Sequence, residues 1–173
     1  MYTPLPLIVT TLNENHTKTG FQIKELKLHK DRVVGKILRK LPQYFPFESR
    51  IIDLCKDACS PKYTAFCATD TTWEKVGICL LVMNNSSTAE IWLLAVSPEF
   101  HGQGIGTLLM ARAENEARNR GRKYMLVRTI SPSQNDPNYL RTFSFYKKLS
   151  YAFLFESEDI WQGTSCAFLV KKL

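Results

Sequence analysis

Apolar positions recur along this chain with two periods, and the switches between them predict the order of its elements. Residues 21–26 alternate, with Phe21, Ile23 and Leu26 apolar against Gln22, Lys24 and Glu25, the mark of a strand with one buried face. Val33, Val34, Ile37, Leu38 and Leu41 then follow a helical spacing over 29–41 that Pro42 stops, and a second helix is expected over 48–58. Two β-favouring runs, 63–69 and 76–83, read as a hairpin whose turn is 70–75, and the turn at 84–87 leads into a strand over 89–96. A helix over 104–120 places Ile105, Leu108, Leu109, Ala113 and Ala117 on one side and ends at Gly121. After a strand over 124–129, Asp136 as N-cap and Pro137 at the first helical position start a helix that runs to about 149. Strands over 151–156 and 165–171 complete a mixed α/β (α+β) sheet with flanking helices. The strands ending at Val96 and Thr129 run parallel, because a strand-helix-strand crossover joins them. Residues 1–20 lack a clear period and are expected to be an N-terminal extension ahead of one domain, 21–173.

Composition narrows the function. At 173 residues and 45% hydrophobic content, one domain can close a substantial core. The net charge of +7 suits an anionic ligand. Basic residues are scattered and no aromatic-basic motif of an RNA-binding sheet occurs, so nucleic acid is not expected as a partner. The five cysteines, Cys55, Cys59, Cys67, Cys79 and Cys166, form no Cys-x-x-Cys pair and no metal site is completed, which favours small buried thiols in a reducing compartment. No run approaches the roughly 18 apolar residues of a membrane span. The expectation is a cytoplasmic protein with neither a metal nor a membrane.

The chemistry concentrates where the strand over 89–96 runs through Ser97 and Pro98 into Glu99-Phe100-His101-Gly102-Gln103-Gly104-Ile105-Gly106-Thr107. Unpaired N–H groups at a helix start, with glycines ahead of them, admit a phosphate to the backbone. A P-loop would need Gly-Lys-Ser/Thr, which is absent. A dinucleotide turn needs Gly-x-Gly-x-x-Gly and a later acidic residue, whereas the spacing here is Gly102-x-Gly104-x-Gly106 and the next strand ends in Arg128 and Thr129.

The run resembles the acetyl-CoA signature Arg/Gln-x-x-Gly-x-Gly/Ala of the GNAT N-acetyltransferases, with Gly104 and Gly106 in the small-residue positions and His101 where the family usually has Arg or Gln. Phe145-Tyr146-Lys147-Lys148-Leu149-Ser150-Tyr151 is similar to the family's Phe-Tyr-x-Lys-Leu-Gly-Phe, with Ser and Tyr replacing Gly and the last Phe. The resemblance implies the GNAT acyl-CoA N-acyltransferase fold, acetyl-CoA as cosubstrate and an amine acceptor. The implied cofactor contacts are the backbone of Leu94, Ala95 and Val96, together with His101, Gly102, Gln103, Gly104, Ile105, Gly106 and Thr107.

The resemblance also implies two catalytic groups. Tyr146 is the general acid, a phenol that can donate to the departing thiolate. Glu90 stands where the histone-acetylating branch has its general base. The family's asparagine seven residues before the tyrosine is Tyr139 here, and Asn138 is the neighbouring candidate for that cofactor contact. Tyr44, Phe45 and Phe47 either line the acceptor pocket or cap the core. The function expected is transfer of an acetyl group to a primary amine of a small molecule, peptide or protein. An acyl-CoA-binding sensor that kept the fold and lost turnover is the alternative, and both substitutions, His101 and Tyr139, bear on it.

Overall fold

The computed structural model describes residues 20–161 and 163–173. The extension expected over 1–20 therefore lies, but for Gly20, outside the described residues. Seven strands form one sheet: β1 (Gln22–Glu25), β2 (Tyr63–Thr69), β3 (Lys75–Met83), β4 (Thr88–Val96), β5 (Tyr124–Ile130), β6 (Ala152–Trp161) and β7 (Thr164–Lys172). Their order is β1-β2-β3-β4-β5-β7-β6, antiparallel throughout except for the β4–β5 pair. The parallel pair follows from the crossover helix, as expected. The placement of β7 between β5 and β6 does not follow from any local pattern, because it depends on pairing between distant segments.

Helices α1 (Lys30–Leu38) and α2 (Glu48–Cys59) cover one face of the sheet, and α3 (Ile105–Asn119) and α4 (Pro137–Lys148) cover the other. The α1/α2 layer buries Val34, Ile37, Leu38 and Leu54 against Ile78, Leu80 and Leu93. The α3/α4 layer buries Ile105, Leu109, Met110 and Ala113 against Phe66, Leu81, Ile91, Met125 and Val127. Leu108, expected on the buried side of α3, is only half-buried, and Met110 takes the position the helix turns inward. α1 stops at Leu38 rather than 41, since Lys40 and Leu41 close three-residue turns onto Ile37 and Leu38 ahead of Pro42. β6 runs on to Trp161, past the expected end at 156, carried by its hairpin with β7.

Two helix ends are built as their sequence signals require. Gly121, at φ +75°, donates to the Arg118 carbonyl while Arg122 donates to that of Ala117, so both bonds of a left-handed C-terminal cap form. The Asp136 carboxylate accepts from the N–H of Asn138 at 2.7 Å and of Tyr139 at 3.4 Å. The expectation of uniformly buried thiols needs correction: Cys67, Cys79 and Cys166 are buried and free, but Cys55 is half-buried and Cys59 exposed. Both of the latter sit on α2, where the Cys55 thiol donates to the Asp31 carbonyl of α1 at 3.3 Å and Cys59 lies in the last turn.

One unusual charge anchors the α3/α4 layer. Glu114 of α3 is buried, and its carboxylate accepts from the Tyr151 hydroxyl at 3.0 Å and from Lys171 Nζ at 2.9 Å. A buried carboxylate needs such partners. Their effect is to fix Tyr151, whose ring packs edge-on against Tyr146 at 5.8 Å. Between those two tyrosines Ser150 adopts φ +67°, a left-handed conformation that glycine enters without a Cβ penalty. Ser150→Gly should therefore raise stability by about 0.5–1 kcal/mol. In a domain of this size that is about 2 °C in Tm by thermal denaturation followed by circular dichroism, and an unchanged or lower Tm would contradict it.

Candidate active site

The sheet forks between its two parallel strands. β4 and β5 pair only from Thr88 and Tyr124 to Ile91 and Val127, although β4 continues to Val96 and β5 to Ile130. The cause lies in β4: Leu80 of β3 faces Leu93 and Leu81 faces Ile91, so Trp92 is an extra residue without a partner. Such a bulge bends its strand and sharpens the twist, and this one falls immediately after Ile91, the last residue that pairs with β5. Trp92 and Leu93 consequently lie on the same side, against the α1/α2 layer, while Leu94 and Val96 return to the α3/α4 layer.

Past the bulge, the edge of β4 facing β5 carries backbone groups that no strand takes up. Ser97 N–H bonds to the Val76 carbonyl of β3 at 2.8 Å, which sets the phase of the alternation. By that phase the backbone of Ala95 is directed to β3, and the backbones of Leu94 and Val96 are directed into the fork. Of the three residues expected to hold a pantetheine arm, two thus offer main-chain groups there, while Ala95 packs its methyl in the α1/α2 layer.

The turn that follows is shaped for an anion. Gly102 and Gly104 have φ +77° and +84°, and a Cβ at either position would meet no protein atom within 4 Å. Gly104 is the N-cap of α3 with no side-chain cap, so the N–H groups of Ile105, Gly106 and Thr107 open the helix unclaimed by a capping side chain. Gly106 plays a different part: a Cβ there would come within 3.2 Å of the Phe145 ring, so its smallness lets α4 approach α3. Gln103 Nε2 donates to the Glu99 carbonyl at 3.2 Å, and Glu99 pairs with Lys40 at the end of α1. His101 is exposed, and its Nε2 lies 2.7 Å from the Val96 carbonyl, to which it donates. With Nε2 committed, the ring offers a second N–H, from Nδ1, only when protonated. Sequence reasoning missed this return of the imidazole to the strand end.

Tyr146 lies beneath the fork on the α3/α4 side. It is 5% exposed and its ring contacts those of Phe145 and Tyr151. Burial, with a smaller contribution from Cys79, pushes its phenol well above the usual range. Cys79 is the register partner of Leu94, which puts this hydroxyl next to the unpaired part of β4. No hydrogen bond among the described residues involves the Tyr146 hydroxyl. It keeps its proton at any physiological pH and has a donor to give.

On the α1/α2 side, at the root of the fork, Glu90 is 5% exposed. Its Oε1 accepts from Arg128 Nε at 2.6 Å and its Oε2 from Asn84 Nδ2 at 2.7 Å. Arg128 is the first residue of β5 beyond the paired register, and its guanidinium lies 5.0 Å from the Trp92 ring. The Trp92 indole in turn donates to Asp57 of α2 at 2.8 Å. The ion pair thus ties the two strands where they begin to part. A single arginine inside the run Tyr124-Met125-Leu126-Val127-Arg128 was the signal for it, since an isolated cation in an apolar strand calls for a buried partner.

Asn138 and Tyr139 stand in the first turn of α4. Asn138 Oδ1 accepts from Arg141 at 2.8 Å, so its side chain turns along the helix. Tyr139 turns the other way, to the loop between α1 and α2. Its hydroxyl donates to the Tyr44 carbonyl at 3.3 Å, the Tyr44 hydroxyl approaches the Asn138 carbonyl at 3.5 Å, and the rings meet edge to face at 5.4 Å. Tyr44 and Phe45 are half-buried against the α1/α2 layer, whereas the Phe47 side chain is 70% exposed and covers none of the core. Among the described residues no cluster of His, Cys, Asp and Glu could hold a metal ion.

A forked sheet with an uncapped, glycine-led helix after its first branch can take an extended, phosphorylated ligand, and the comparisons give the class. The description "Acetyltransferase (GNAT) family" matches residues 32–151, and the chain belongs to that family. Among solved structures it is similar to a GNAT-family protein from Desulfovibrio desulfuricans (TM-score 0.74, 15% identity, covering 88% of this chain and 98% of that one). It is similar also to a GNAT family acetyltransferase from Elizabethkingia anophelis with acetyl-CoA bound (0.66, 18%, 89% and 99%). A third is the ribosomal-protein-S18-alanine N-acetyltransferase from Escherichia coli (0.71, 13%, 88% and 93%). No curated protein matches the sequence. The protein has the GNAT fold and acetyl-CoA is its cosubstrate.

Gly104→Val tests the turn. A β-branched residue at φ +84° is strained by about 1–2 kcal/mol, and its side chain would occupy the open space before the helix start. The folded variant should bind coenzyme A at least tenfold more weakly by calorimetry. Wild-type affinity would remove the turn from the site.

Proposed function

We propose that this acetyltransferase moves the acetyl group of acetyl-CoA directly to a primary amine, on a small molecule, a peptide or a protein. The observation that carries the reading is the Tyr146 hydroxyl, buried, protonated and without a hydrogen-bond partner among the described residues, on the side of the fork opposite Glu90. Direct transfer needs a donor for the leaving thiolate on one side and an acceptor for the amine's proton on the other, with both reactants held in line. Tyr146 fills the first role. Glu90 fills the second, through water, because each of its oxygens has one donor and retains further lone pairs. The backbones of Leu94 and Val96 and the turn from His101 to Thr107 hold the cosubstrate, with Ala95 shaping the strand and Asn138 at the start of α4. The five free cysteines suit the cytoplasm.

A second reading has an observation of its own. Glu90 is tied to Arg128 and Asn84, an arrangement that serves equally to hold the fork together, and an acyl-CoA-binding module without turnover would keep it. Thiol release measured across a panel of amines separates the two. An enzyme shows acceptor-dependent release, and a binding module shows none.

Tyr146→Phe keeps the ring that packs between Phe145 and Tyr151 and removes only the donor. Turnover should fall roughly 10²-fold in kcat, with little change in acetyl-CoA affinity or in Tm. A near-normal rate with chemistry limiting would make Tyr146 a packing residue. For Glu90→Gln the two readings diverge. As the base, Glu90 takes part in the proton transfer itself, and the folded variant should lose roughly 10²-fold in kcat. As a strand tie alone, its loss should cost Tm while the folded variant turns over at a near-normal rate.

A further inference from the structure

On the Glu90 side, the fork opens onto a part of the sheet that no helix covers. Among the described residues, the layer under α1 and α2 buries side chains from β2, β3 and β4, and none from β5, β7 or β6. Met125, Val127, Ala167 and Leu169 belong to the α3/α4 layer, so the alternate residues of β5 and β7 point the other way, onto the uncovered face. There Leu126 stands opposite Val170, Arg128 opposite Phe168, and Phe168 opposite Phe155 of β6. Leu126, Phe168 and Val170 are half-buried, and Phe155 is 48% exposed. An open sheet face is ordinarily polar, whereas this one is apolar and runs straight to the fork. Such a surface beside a reaction site suits the body of a ligand.

The face is also flat. Phe155 and Phe168 stack with ring centres 4.4 Å apart and planes 14° from parallel, and the Arg128 guanidinium lies 5.0 Å from the Trp92 ring. Planar groups therefore form one row across β4, β5, β7 and β6. Its charge is the Arg128 guanidinium, which Glu90 already balances. Glu156, next to Phe155 on β6, belongs to the opposite face with Ala167 and accepts from the Ser131 and Ser133 hydroxyls. A polyamine would thus find no free carboxylate in the row. An extended peptide would find no main-chain partner on this face, because β5, β7 and β6 pair with one another. A flat apolar body is what the row can hold. Neighbouring strands lie about 4.8 Å apart, so a ring seated over β7 has its centre about 5–7 Å from the fork, the reach of a two-carbon link between an amine and a ring.

We propose that the acceptor is a small monoamine with an aromatic ring two or three carbons from its nitrogen. The ring sits on Phe168 and Phe155 in an offset or edge-on arrangement, and the nitrogen lies in the fork beside Glu90. The assignment rests on amine transfer at the fork and names the class of amine. In the transfer the nitrogen bonds to the acetyl carbon as the carbon–sulfur bond breaks. The amine's proton passes through water to Glu90, the thiolate takes a proton from Tyr146, and the two groups return to their starting states by exchange with solvent. Phe155 and Phe168 touch only the substrate's ring, so they set specificity and take no part in proton transfer.

Acetyl-CoA-dependent thiol release by the purified full chain, measured over a series of amines, tests this. 2-Phenylethylamine and 3-phenylpropylamine should have kcat/KM about tenfold or more above butylamine, benzylamine and spermidine, the discrimination an apolar pocket supplies. 2-Phenylethanol, which has the ring and lacks the amine, should inhibit competitively against the amine, a readout that needs no variant. Phe155→Ser should bring the ratio of 2-phenylethylamine to butylamine down to about one, mainly through KM, and Phe155→Tyr, which keeps a ring, should preserve it. Phe155 is exposed, so circular dichroism should show both variants folded. Equal kcat/KM across the series would overturn the proposal and leave amine transfer standing. Faster transfer to spermidine or to phenylalanyl-glycinamide than to 2-phenylethylamine would do the same. So would a dimer in sedimentation that dissociates in Phe155→Ser with the ratio unchanged, because a second copy of the chain would then cover the face. Thiol release with no amine at all would overturn the amine-transfer reading, and this proposal with it.

Discussion

One unpaired residue organises this molecule. If β4 kept a regular register with β3, Leu93 would face the α3/α4 layer with Ile91 and the parallel pairing with β5 could continue to the strand ends. The bulge shifts every later side chain by one place, and with it the direction of the backbone groups between Leu93 and Val96. A sheet tolerates a gap between central strands only where something else answers the exposed N–H and C=O groups. His101 answers the Val96 carbonyl from the turn, and an extended ligand arm is the natural partner for the rest.

The gap is confined from several directions. At its root the Glu90–Arg128 pair, backed by Trp92 and Asp57, stops the separation from propagating down the strands. On the α3/α4 side, the Glu114 network sets Tyr151, and Tyr151 sets the ring of Tyr146. The smallness of Gly106 lets α4 lie close enough to α3 for the same helix to reach both the fork and the turn. Charge, packing and backbone conformation converge on one geometry, and the local rules broken to reach it, such as left-handed Ser150 and capless Gly104, cluster around the site.

Much of this could be read in the sequence. Periodicity placed the helices and the half-buried β1, a continuous apolar run placed β3, which is buried on both faces, and the caps at Asp136 and Gly121 could be read because few residue types satisfy them. Departures from family pattern were informative too: the serine at 150 sits where a positive φ favours glycine. What could not be read depended on register. Ile91-Trp92-Leu93-Leu94 is an unbroken apolar run, and nothing in it marks which residue lacks a partner. The Glu90–Arg128 tie required knowing that 90 pairs beside 126, and the inward turn of Met110 required the packing of α3 on Phe66 and Ile91. Tyr139 was noticed as a missing asparagine, but its contact with Tyr44, across 95 residues of chain, belongs to the tertiary structure alone.

That contact has a consequence for how substitutions combine. The α1–α2 loop is anchored on one face of the sheet and α4 on the other, and they meet through the open end of the fork. Tyr139 and Tyr146 are seven residues apart, two turns along the same side of one short helix. A group that displaces Tyr44 bears on α4 at one end, and a change that loosens Tyr146 bears on it at the other. Tyr44 and Tyr139 are thus one mechanical unit, and their substitution energies are coupled rather than additive, as for residues in direct contact.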